Sequence, residues 1–318
     1  MLSEILTEEL TQPAPDAARA FADEICRRHG AAVAAVLFYG SCLRKQTTEG
    51  GLDFYVLVDS YRAVFSSPLF ATLNAILPPN VFYLEVQVGK DEQETVRGKY
   101  AVISLQDFSR AASPQSLYAI IWGRFCQPTL LVHSRDSASR TAVIGSFVEA
   151  ALTMVGRMAA LLPERFQAME LWQRGFQETY RTELLAEKPG TVQAIYQSAP
   201  ERYDRIASEA LQELERRGTL QVCSTTAGPD AAWKVAFPPQ QRSRVQRDWK
   251  TRRPIAKARY AVWLLKSAAT FGDWLPYVFW KVGRHAGVTL QPTERQRRHP
   301  FLCGGPAVLK LLLQRNLR

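Results

Sequence analysis

Residues 36–59, VLFYGSCLRKQTTEGGLDFYVLVD, give the clearest prediction of strands in this chain and contain its first candidate site. Two short runs of β-branched and aromatic residues, 33–39 and 52–58, flank a polar segment that ends in glycine. This pattern predicts two buried strands joined by a loop. The first run stops at Gly40-Ser41, and the second carries a single acid, Asp53, at its start. A glycine turn and one strand carboxylate are therefore the first chemical features of the chain.

The residues on either side of this stretch predict a sheet combined with helices. A helix is expected over 14–28, where Asp16 lies near the start, and another is expected over 62–76. A third strand is expected over 81–88, VFYLEVQV, with Glu85 in its apolar middle. A buried acid is rarely left unpaired, so we expect Glu85 to meet a cation, a metal or a hydrogen-bond donor.

The length of 318 residues predicts about two domains, and the fold class predicted is α+β. We expect a sheet-containing domain over 1–135, a helical domain over 136–240 for which a winged-helix arrangement is one option, and a basic region over 241–318. Residues 224–240, with their prolines, glycine and threonines, are expected to form a connection. The helical periodicity that supports the middle domain lies at 140–162, 165–187 and 199–217.

The positive charge is concentrated near the C-terminus. The net charge is +10, but residues 241–318 hold 17 Lys and Arg against three acids, whereas residues 1–240 have a net charge of −4. A basic quarter on a near-neutral body indicates a polyanionic partner, either nucleic acid or an anionic membrane surface. The aromatic residues among these cations suit a bilayer interface, although the same residues could form the core of a basic subdomain packed on the body. These aromatic residues are Trp249, Tyr260, Trp263, Trp274 and Trp280.

The cysteines, histidines and termini exclude several classes of protein. The five cysteines form no C-x-x-C pair and the four histidines are widely separated, so neither a disulfide framework nor a zinc site is indicated. The acidic start, MLSEILTEEL, resembles neither a secretory signal nor a mitochondrial transit peptide. No segment is expected to span a membrane, so the sequence predicts a soluble or peripheral protein in a reducing compartment.

The Gly-Ser turn and the strand acids suit nucleotidyl transfer. Backbone N–H groups at Gly40 and Ser41, with the Ser41 hydroxyl, can hold a triphosphate, because glycine lets the backbone approach the phosphates. Carboxylates on neighbouring strands can hold Mg²⁺, and Asp53 and Glu85 are the candidate catalytic and metal-binding pair. The structural alternative is an ordinary turn with the strand acid in a salt bridge. The cations near enough in sequence for that bridge are Arg44, Lys45 and Arg62.

Four motifs follow one another along the chain: Tyr39-Gly40-Ser41, LDFYVLVD at 52–59, KYAVIS at 99–104 and LYAIIWGRFCQP at 117–128. They resemble those of the mitochondrial translocator-maintenance type of phosphatidate cytidylyltransferase, a soluble CDP-diacylglycerol synthase with bacterial relatives. They cover roughly residues 30–220, with a fifth, looser match in 179–196, TYRTELLAEKPGTVQAIY. The family belongs to the nucleotidyltransferase superfamily, so the resemblance implies a nucleotidyltransferase-like mixed sheet.

The resemblance implies a reaction and a set of roles. The substrates would be CTP and phosphatidate, with Mg²⁺ as cofactor, in an enzyme bound peripherally to the cytoplasmic face of the inner membrane through its basic C-terminal region. Gly40 and Ser41 would hold triphosphate, Asp53 would bind Mg²⁺, and Lys99 and Arg124 would neutralise phosphates. The structural alternatives are a solvated strand end for Lys99 and a salt bridge inside the helical domain for Arg124. In the superfamily's D-x-D motif the first acid would fall at residue 51, which is glycine here.

The glycine at position 51 gives other acids more weight, because it removes one expected metal ligand. Glu85, or else Asp59 at the end of the second strand, becomes the expected partner of Asp53. Two other functions stay open: a nucleotidyltransferase with another phosphate-bearing acceptor such as RNA, and a non-catalytic nucleic-acid-binding protein. Nucleic acid is the less expected partner, because a binder of phosphate backbones has no use for an acid buried beside Asp53.

Overall fold

A computed structural model describes residues 1–48, 51–88, 94–116, 119–181, 190–225, 232–270, 279 and 293–298. Five of its strands form the main sheet and three form a small second sheet. The main-sheet strands are β1 (Val33–Tyr39), β2 (Leu52–Val58), β3 (Asn80–Val88), β4 (Glu94–Ser104) and β5 (Thr129–Ser134). The second sheet contains β6 (Arg165–Gln167), β7 (Gln221–Thr225) and β8 (Ala232–Ala236).

Helices surround both sheets. In the first part of the chain they are α1 (Leu2–Leu10), α2 (Asp16–His29), α3 (Ser41–Lys45), α4 (Tyr61–Val64), α5 (Pro68–Ile76), α6 (Leu105–Ala112) and α7 (Ile120–Phe125), with a 3₁₀ turn at Gly30–Ala32. The later helices are α8 (Ser137–Leu161), α9 (Ala168–Arg181), α10 (Thr191–Gln197), α11 (Pro200–Arg216), α12 (Gln241–Thr270) and α13 (Glu294–Arg298). The predicted α+β fold class is confirmed.

The strand order of the main sheet is β3-β4-β2-β1-β5. Strands β2 and β4 are parallel, and the other neighbouring pairs are antiparallel. The strands predicted over 33–39, 52–58 and 81–88 are all present. The expectation that the strand carrying Glu85 lies beside the strand carrying Asp53 is wrong, because β4 separates them.

The two faces of the sheet are covered by different helices. Helix α2 covers one face, where Phe21 stacks on Phe54 with the ring centroids 5.3 Å apart. On the other face, the core that includes Leu37 and Leu57 continues through α8 into the helices and small sheet of the second half. Side chains alternate between the two faces along each strand, so Asp53 and Tyr55 share the α8 side of the sheet.

Helix α8 is the central helix of the protein. It packs against α6 and α7 on one side and against α9 and α11 on the other. Among the described residues it is the one helix long and apolar enough to cross a membrane, which contradicts the expectation that no segment reaches that length. Most of its apolar surface is nevertheless buried inside the protein, as in the core helix of a globular fold. The core therefore crosses the predicted domain boundary at residue 135 without a gap.

Several local expectations are corrected. An additional helix, α1, precedes the first predicted helix and buries Leu2, Leu6 and Leu10. The helix expected over 62–76 is two helices, α4 and α5, separated at 65–67. The connection expected over 224–240 contains β8, which lies in the middle of the second sheet, in the order β6-β8-β7.

The beginning of the basic region packs on the body as helix α12. Trp249 is 5% exposed, and its indole N–H donates to Glu178 Oε2 at 2.6 Å. The indole N–H of Trp263 donates to the carbonyl of Pro79 at 2.7 Å. Trp249 and Trp263 are therefore packed against the body, which is the second of the two arrangements expected for these aromatic residues. Trp274 and Trp280 lie outside the described residues.

Candidate functional site

The turn at Gly40 lies directly against the Asp53 carboxylate. Tyr39, the last residue of β1, pairs with Asp53 at the start of β2, so the turn that follows Tyr39 passes the acid. Gly40 has a φ of +94°, and a Cβ added to it would lie 2.9 Å from Asp53 Oδ2. Ser41, the next residue, is exposed at the start of α3. The structure thus brings together three residues that the sequence predicts to form one site.

Lys99 joins this group from the neighbouring parallel strand. The register of β2 and β4 places Lys99 opposite Asp53, and Lys99 Nζ lies 3.3 Å from Asp53 Oδ1. The Lys99 side chain is 40% exposed and that of Asp53 is 23% exposed, so both remain accessible to a ligand. A half-exposed salt bridge such as this contributes little to the stability of the fold, so a ligand could replace it at small cost.

Gly51 has a conformational reason to be glycine. Its φ is +89°, a value that L side chains rarely adopt, and its carbonyl accepts a hydrogen bond from the Cys42 thiol at 3.2 Å. An aspartate at this position would strain the backbone that leads into β2. The single acid at Asp53 is therefore a consequence of how the loop enters the strand.

Glu85 does not lie beside Asp53. It occupies the edge strand β3, two strands away from β2, so the two backbones are separated by about 10 Å. Glu85 is 45% exposed, which corrects the expectation that it is buried. It does meet a cation and a donor, as expected: Arg97 Nε lies 3.0 Å from Glu85 Oε1, and the Tyr83 hydroxyl donates to the same oxygen at 2.6 Å.

Asp59, the other candidate partner of Asp53, lies at the opposite end of β2. It forms a two-pronged ion pair with Arg135, which follows β5. Six residues of extended strand separate it from Asp53, a distance of about 20 Å. The structure therefore brings neither Asp59 nor Glu85 to the Asp53 carboxylate.

The donors around Asp53 fit one Mg²⁺ ion shared with a nucleotide. Among the described residues, no group of three or more His, Cys, Asp and Glu side chains is placed to hold a metal. Mg²⁺ is commonly held by one or two carboxylates together with substrate phosphates and waters. Asp53 Oδ2 faces Gly40 across a space that a Cβ would fill, and Lys99 Nζ lies 3.3 Å from Asp53 Oδ1. Asp53 could therefore contribute one carboxylate to a metal ion whose other ligands would be phosphates and waters.

Arg124 lies on the same face of the sheet, beside an aromatic cluster. Its guanidinium lies 6.0 Å from the centre of the Tyr39 ring, and its Nη1 is 3.4 Å from the Tyr55 hydroxyl. Tyr39 and Tyr55 pack edge to face with each other and with Phe125. Burial raises the pKa of Tyr39, while the nearby Arg124 opposes that rise and Asp53 adds to it. Arg124 is thus linked to the Asp53 site through Tyr39.

A cavity of about 370 Å³ begins at Tyr55 and Arg124. Its wall is mostly apolar, but three arginines and one aspartate also line it: Arg110, Arg124, Arg259 and Asp107. Asp107 accepts hydrogen bonds from the Tyr61 hydroxyl and from Ser104 Oγ, both at 2.8 Å, and Arg110 Nη1 lies 3.2 Å from it. The cavity volume is in the range of small-molecule sites.

The cavity was not predicted from the sequence, because its walls come from distant parts of the chain. Ala75 and Ile76 of α5, Ile103 of β4 and Ile121 of α7 meet Tyr260 of α12 there. None of these residues stands out from its local sequence. Among the cavity arginines, only Arg124 belongs to one of the four motifs, and a basic residue in an amphipathic helix gives no signal of what it faces.

No protein-family model matches the chain, and no curated protein is significantly similar to it. The likeness to the phosphatidate cytidylyltransferases therefore depends on the motifs themselves. In the fold, Tyr39-Gly40-Ser41 ends β1, LDFYVLVD forms β2 with Asp59 after it, and KYAVIS forms the second half of β4. These three motifs meet at Asp53. In the fourth, residues 117 and 118 lie outside the described residues, as do residues 182–189 of the looser fifth match.

Proposed function

We propose that the protein transfers CMP from CTP to phosphatidate, giving CDP-diacylglycerol and pyrophosphate. The observation that carries this proposal is the position of the cavity. A polar group of Gly40, Asp53 and Lys99, suited to a nucleotide triphosphate, is linked through Tyr39 and Arg124 to an apolar cavity that also contains arginines. Phosphatidate has the matching chemistry, because it joins a phosphate monoester to acyl chains. The choice of CTP rests on the motif resemblance.

The nucleotide would lie across the Gly40-Ser41 turn. Glycine at position 40 allows the triphosphate to approach the backbone N–H groups, and the exposed Ser41 hydroxyl can add a hydrogen bond. Lys99, which is within 3.3 Å of Asp53 and accessible, would neutralise charge on the departing pyrophosphate. Asp53 would hold Mg²⁺, which, when bound, neutralises the phosphate oxygens and favours departure of pyrophosphate.

The acceptor would enter from the cavity. Arg124, and behind it Arg110 and Arg259, would bind the phosphate of phosphatidate, while the apolar wall receives the start of its acyl chains. A phosphate oxygen then attacks the α-phosphorus of CTP. A new P–O bond forms, the bond from the α-phosphorus to the bridging oxygen breaks, and its electron pair leaves with pyrophosphate. The attacking phosphate is largely ionised at neutral pH, so positioning and electrostatics replace a general base.

The test is pyrophosphate release by the purified protein with CTP, Mg²⁺ and phosphatidate. We expect Asp53→Asn to lower turnover at least about 100-fold, because it removes the carboxylate charge that the metal requires. Glu85→Gln is the matched control: it also neutralises a strand acid, but one that is exposed and paired with Arg97, so turnover should change less than about twofold.

Three results would contradict the proposal in different ways. Full activity of Asp53→Asn would remove the central residue from the site. Absence of turnover by wild-type protein, together with measurable CTP binding, would mean that the acceptor is wrong while the nucleotide site stands. A loss of activity in Glu85→Gln equal to that in Asp53→Asn would restore the paired-acid hypothesis.

The cavity also suits a second acceptor, a polyisoprenoid phosphate, because its apolar wall and arginines would recognise any phosphate on a hydrocarbon chain. Competition between the two lipids in the same assay distinguishes them. A nucleic-acid-binding function has less support. Such a function would use the basic residues of α12, but it gives no role to Asp53 or to the apolar cavity. We place the enzyme in the cytoplasm, bound peripherally to the inner membrane.

A further inference from the structure

Helix α5 shows a reversed amphipathic pattern. Its polar residue Asn74 is fully buried, whereas Leu69, Phe70 and Ile76 are 66%, 43% and 69% exposed. A helix on the surface of a globular protein normally directs its large apolar side chains inward. The reversal is stabilised from within, because Asn74 Oδ1 accepts a hydrogen bond from Lys266 Nζ at 2.6 Å. Apolar side chains that are held at the surface in this way indicate a binding surface for another molecule.

Helix α12 extends the apolar surface. It lies next to α5, because Lys266 also donates to the carbonyls of Leu77 and Pro79. On α12, Ile255 and Val262 are 47% and 56% exposed and are seven residues apart, which places them on the same side of the helix. The two helices together account for most of the exposed large hydrophobic residues of the described chain.

This surface adjoins the cavity and includes part of a strongly basic helix. Ile76 of α5 and Arg259 of α12 both line the cavity, so the apolar surface and the cavity share a rim. Helix α12 contains nine Lys and Arg against one acid, Asp248, and the exposed cations among them include Arg244, Arg247, Lys250 and Lys257. An apolar patch within a strongly basic helix matches an anionic bilayer, where acyl chains meet the apolar side chains and headgroups meet the cations.

We infer that α5 and the exposed side of α12 form a membrane-contact surface that inserts Leu69, Phe70 and Ile76 into an anionic bilayer. The occupant is a bilayer rather than a protein, because cations greatly outnumber acids on α12 and the surface adjoins a cavity with an apolar wall. Contact by α5 would place the cavity entrance at the level of the acyl chains. That last step, delivery of the lipid, rests on the proposed function, whereas membrane contact itself does not.

The experiment measures binding of the full-length protein to vesicles without nucleotide or phosphatidate. Vesicles of phosphatidylcholine with phosphatidylglycerol are compared with vesicles of phosphatidylcholine alone. We expect wild-type protein to bind the anionic vesicles, and the triple variant Leu69→Ser, Phe70→Ser, Ile76→Ser to bind them at least about tenfold more weakly. Met169→Ser is the matched control, because Met169 is 40% exposed on α9 and outside the surface; it should bind as wild type does.

A second measurement guards against loss of structure in the triple variant. Phe70→Trp keeps an aromatic residue at the surface, and its added fluorescence should be quenched by phospholipids brominated on their acyl chains. Quenching no greater than in wild type, or triple-variant binding equal to wild type, would overturn the inference and assign membrane contact to another part of the chain. Binding is read without turnover, so the inference can stand or fall independently of the proposed reaction.

Discussion

At the scale of single residues, Gly40 determines how closely the turn approaches Asp53. Two separate constraints act there: its φ of +94°, and the 2.9 Å that would separate an added Cβ from Asp53 Oδ2. The first is a backbone cost that any L residue would meet at this φ. The second is specific to the site, because a methyl group would displace the carboxylate that we assign to Mg²⁺ binding.

We predict that Gly40→Ala costs about 1–3 kcal/mol of stability and lowers cytidylyl transfer at least about tenfold. The matched control is Gly190→Ala, where φ is +84° but nothing lies within 4 Å of the added Cβ. That variant should lose similar stability and keep its turnover. Thermal unfolding and pyrophosphate release measure the two effects, and equal turnover in both variants would show that the contact with Asp53 is unimportant.

At the scale of helices and strands, close packing between α7 and α9 holds Arg124 in position. A Cβ on Gly123 of α7 would lie 2.1 Å from Thr179 Oγ1 of α9. Thr179 is buried, and its hydroxyl donates to the Gly175 carbonyl at 2.9 Å, so it has little freedom to move away. Glycine at position 123 is therefore required by the approach of two helices and not by its own backbone angles.

We predict that Gly123→Ala lowers the free energy of unfolding by about 1–3 kcal/mol, as expected for an overpacked core. In Gly145→Ala, on α8, the added methyl group meets nothing within 4 Å, so helix propensity should raise stability by up to about 1 kcal/mol. Chemical denaturation measures both. Adding Thr179→Ala to Gly123→Ala should recover part of the loss; purely additive losses would mean that the two side chains do not meet.

In the molecule as a whole, Lys266 connects helix α12 to helix α5 and the segment that follows α5. Its ammonium group donates to Asn74 Oδ1 and to the carbonyls of Leu77 and Pro79, so it joins α12 to α5 and the segment after it. Burial, with a smaller effect from Arg259, lowers the pKa of Lys266 to about 8 from its ordinary 10.5. The unfolded chain therefore binds this proton more tightly than the folded protein does.

The sign of the pH dependence follows from this shift. Below pH 8 both states carry the charge, and the folded protein bears its full desolvation cost. Between about pH 8 and 10.5 the folded protein releases the proton first, so the contribution of Lys266 to stability rises with pH. We predict that Lys266→Met loses this rise relative to wild type, whereas Lys257→Met, at an exposed position on the same helix, keeps it. Unfolding midpoints measured from about pH 7.5 to 10.5 test this, and parallel curves for wild type and Lys266→Met would contradict it.

Strands β1, β2 and β3 and helices α2, α8, α9 and α11 could be predicted from the sequence, as could the placing of Gly40, Ser41 and Asp53 in one site. Burial periodicity and a turn between consecutive strands are local properties, so the residues involved are close in the chain. The periodicity did not predict β4, because Arg97 and Lys99 interrupt its apolar residues. Both charged side chains lie on the α8 face of the sheet, at the exposed end of the strand.

The strand that lies beside β2, and therefore the residue that pairs with Asp53, is known only from the tertiary structure. Strand pairing depends on hydrogen bonds between segments far apart in sequence, so it placed Lys99 next to Asp53 and left Glu85 on an exposed edge. The cavity and the apolar surface of α5 were decided in the same way. Helix α5 is apolar by composition, but its own sequence does not show which side faces the core, because buried Asn74 bonds to Lys266, which lies almost two hundred residues away.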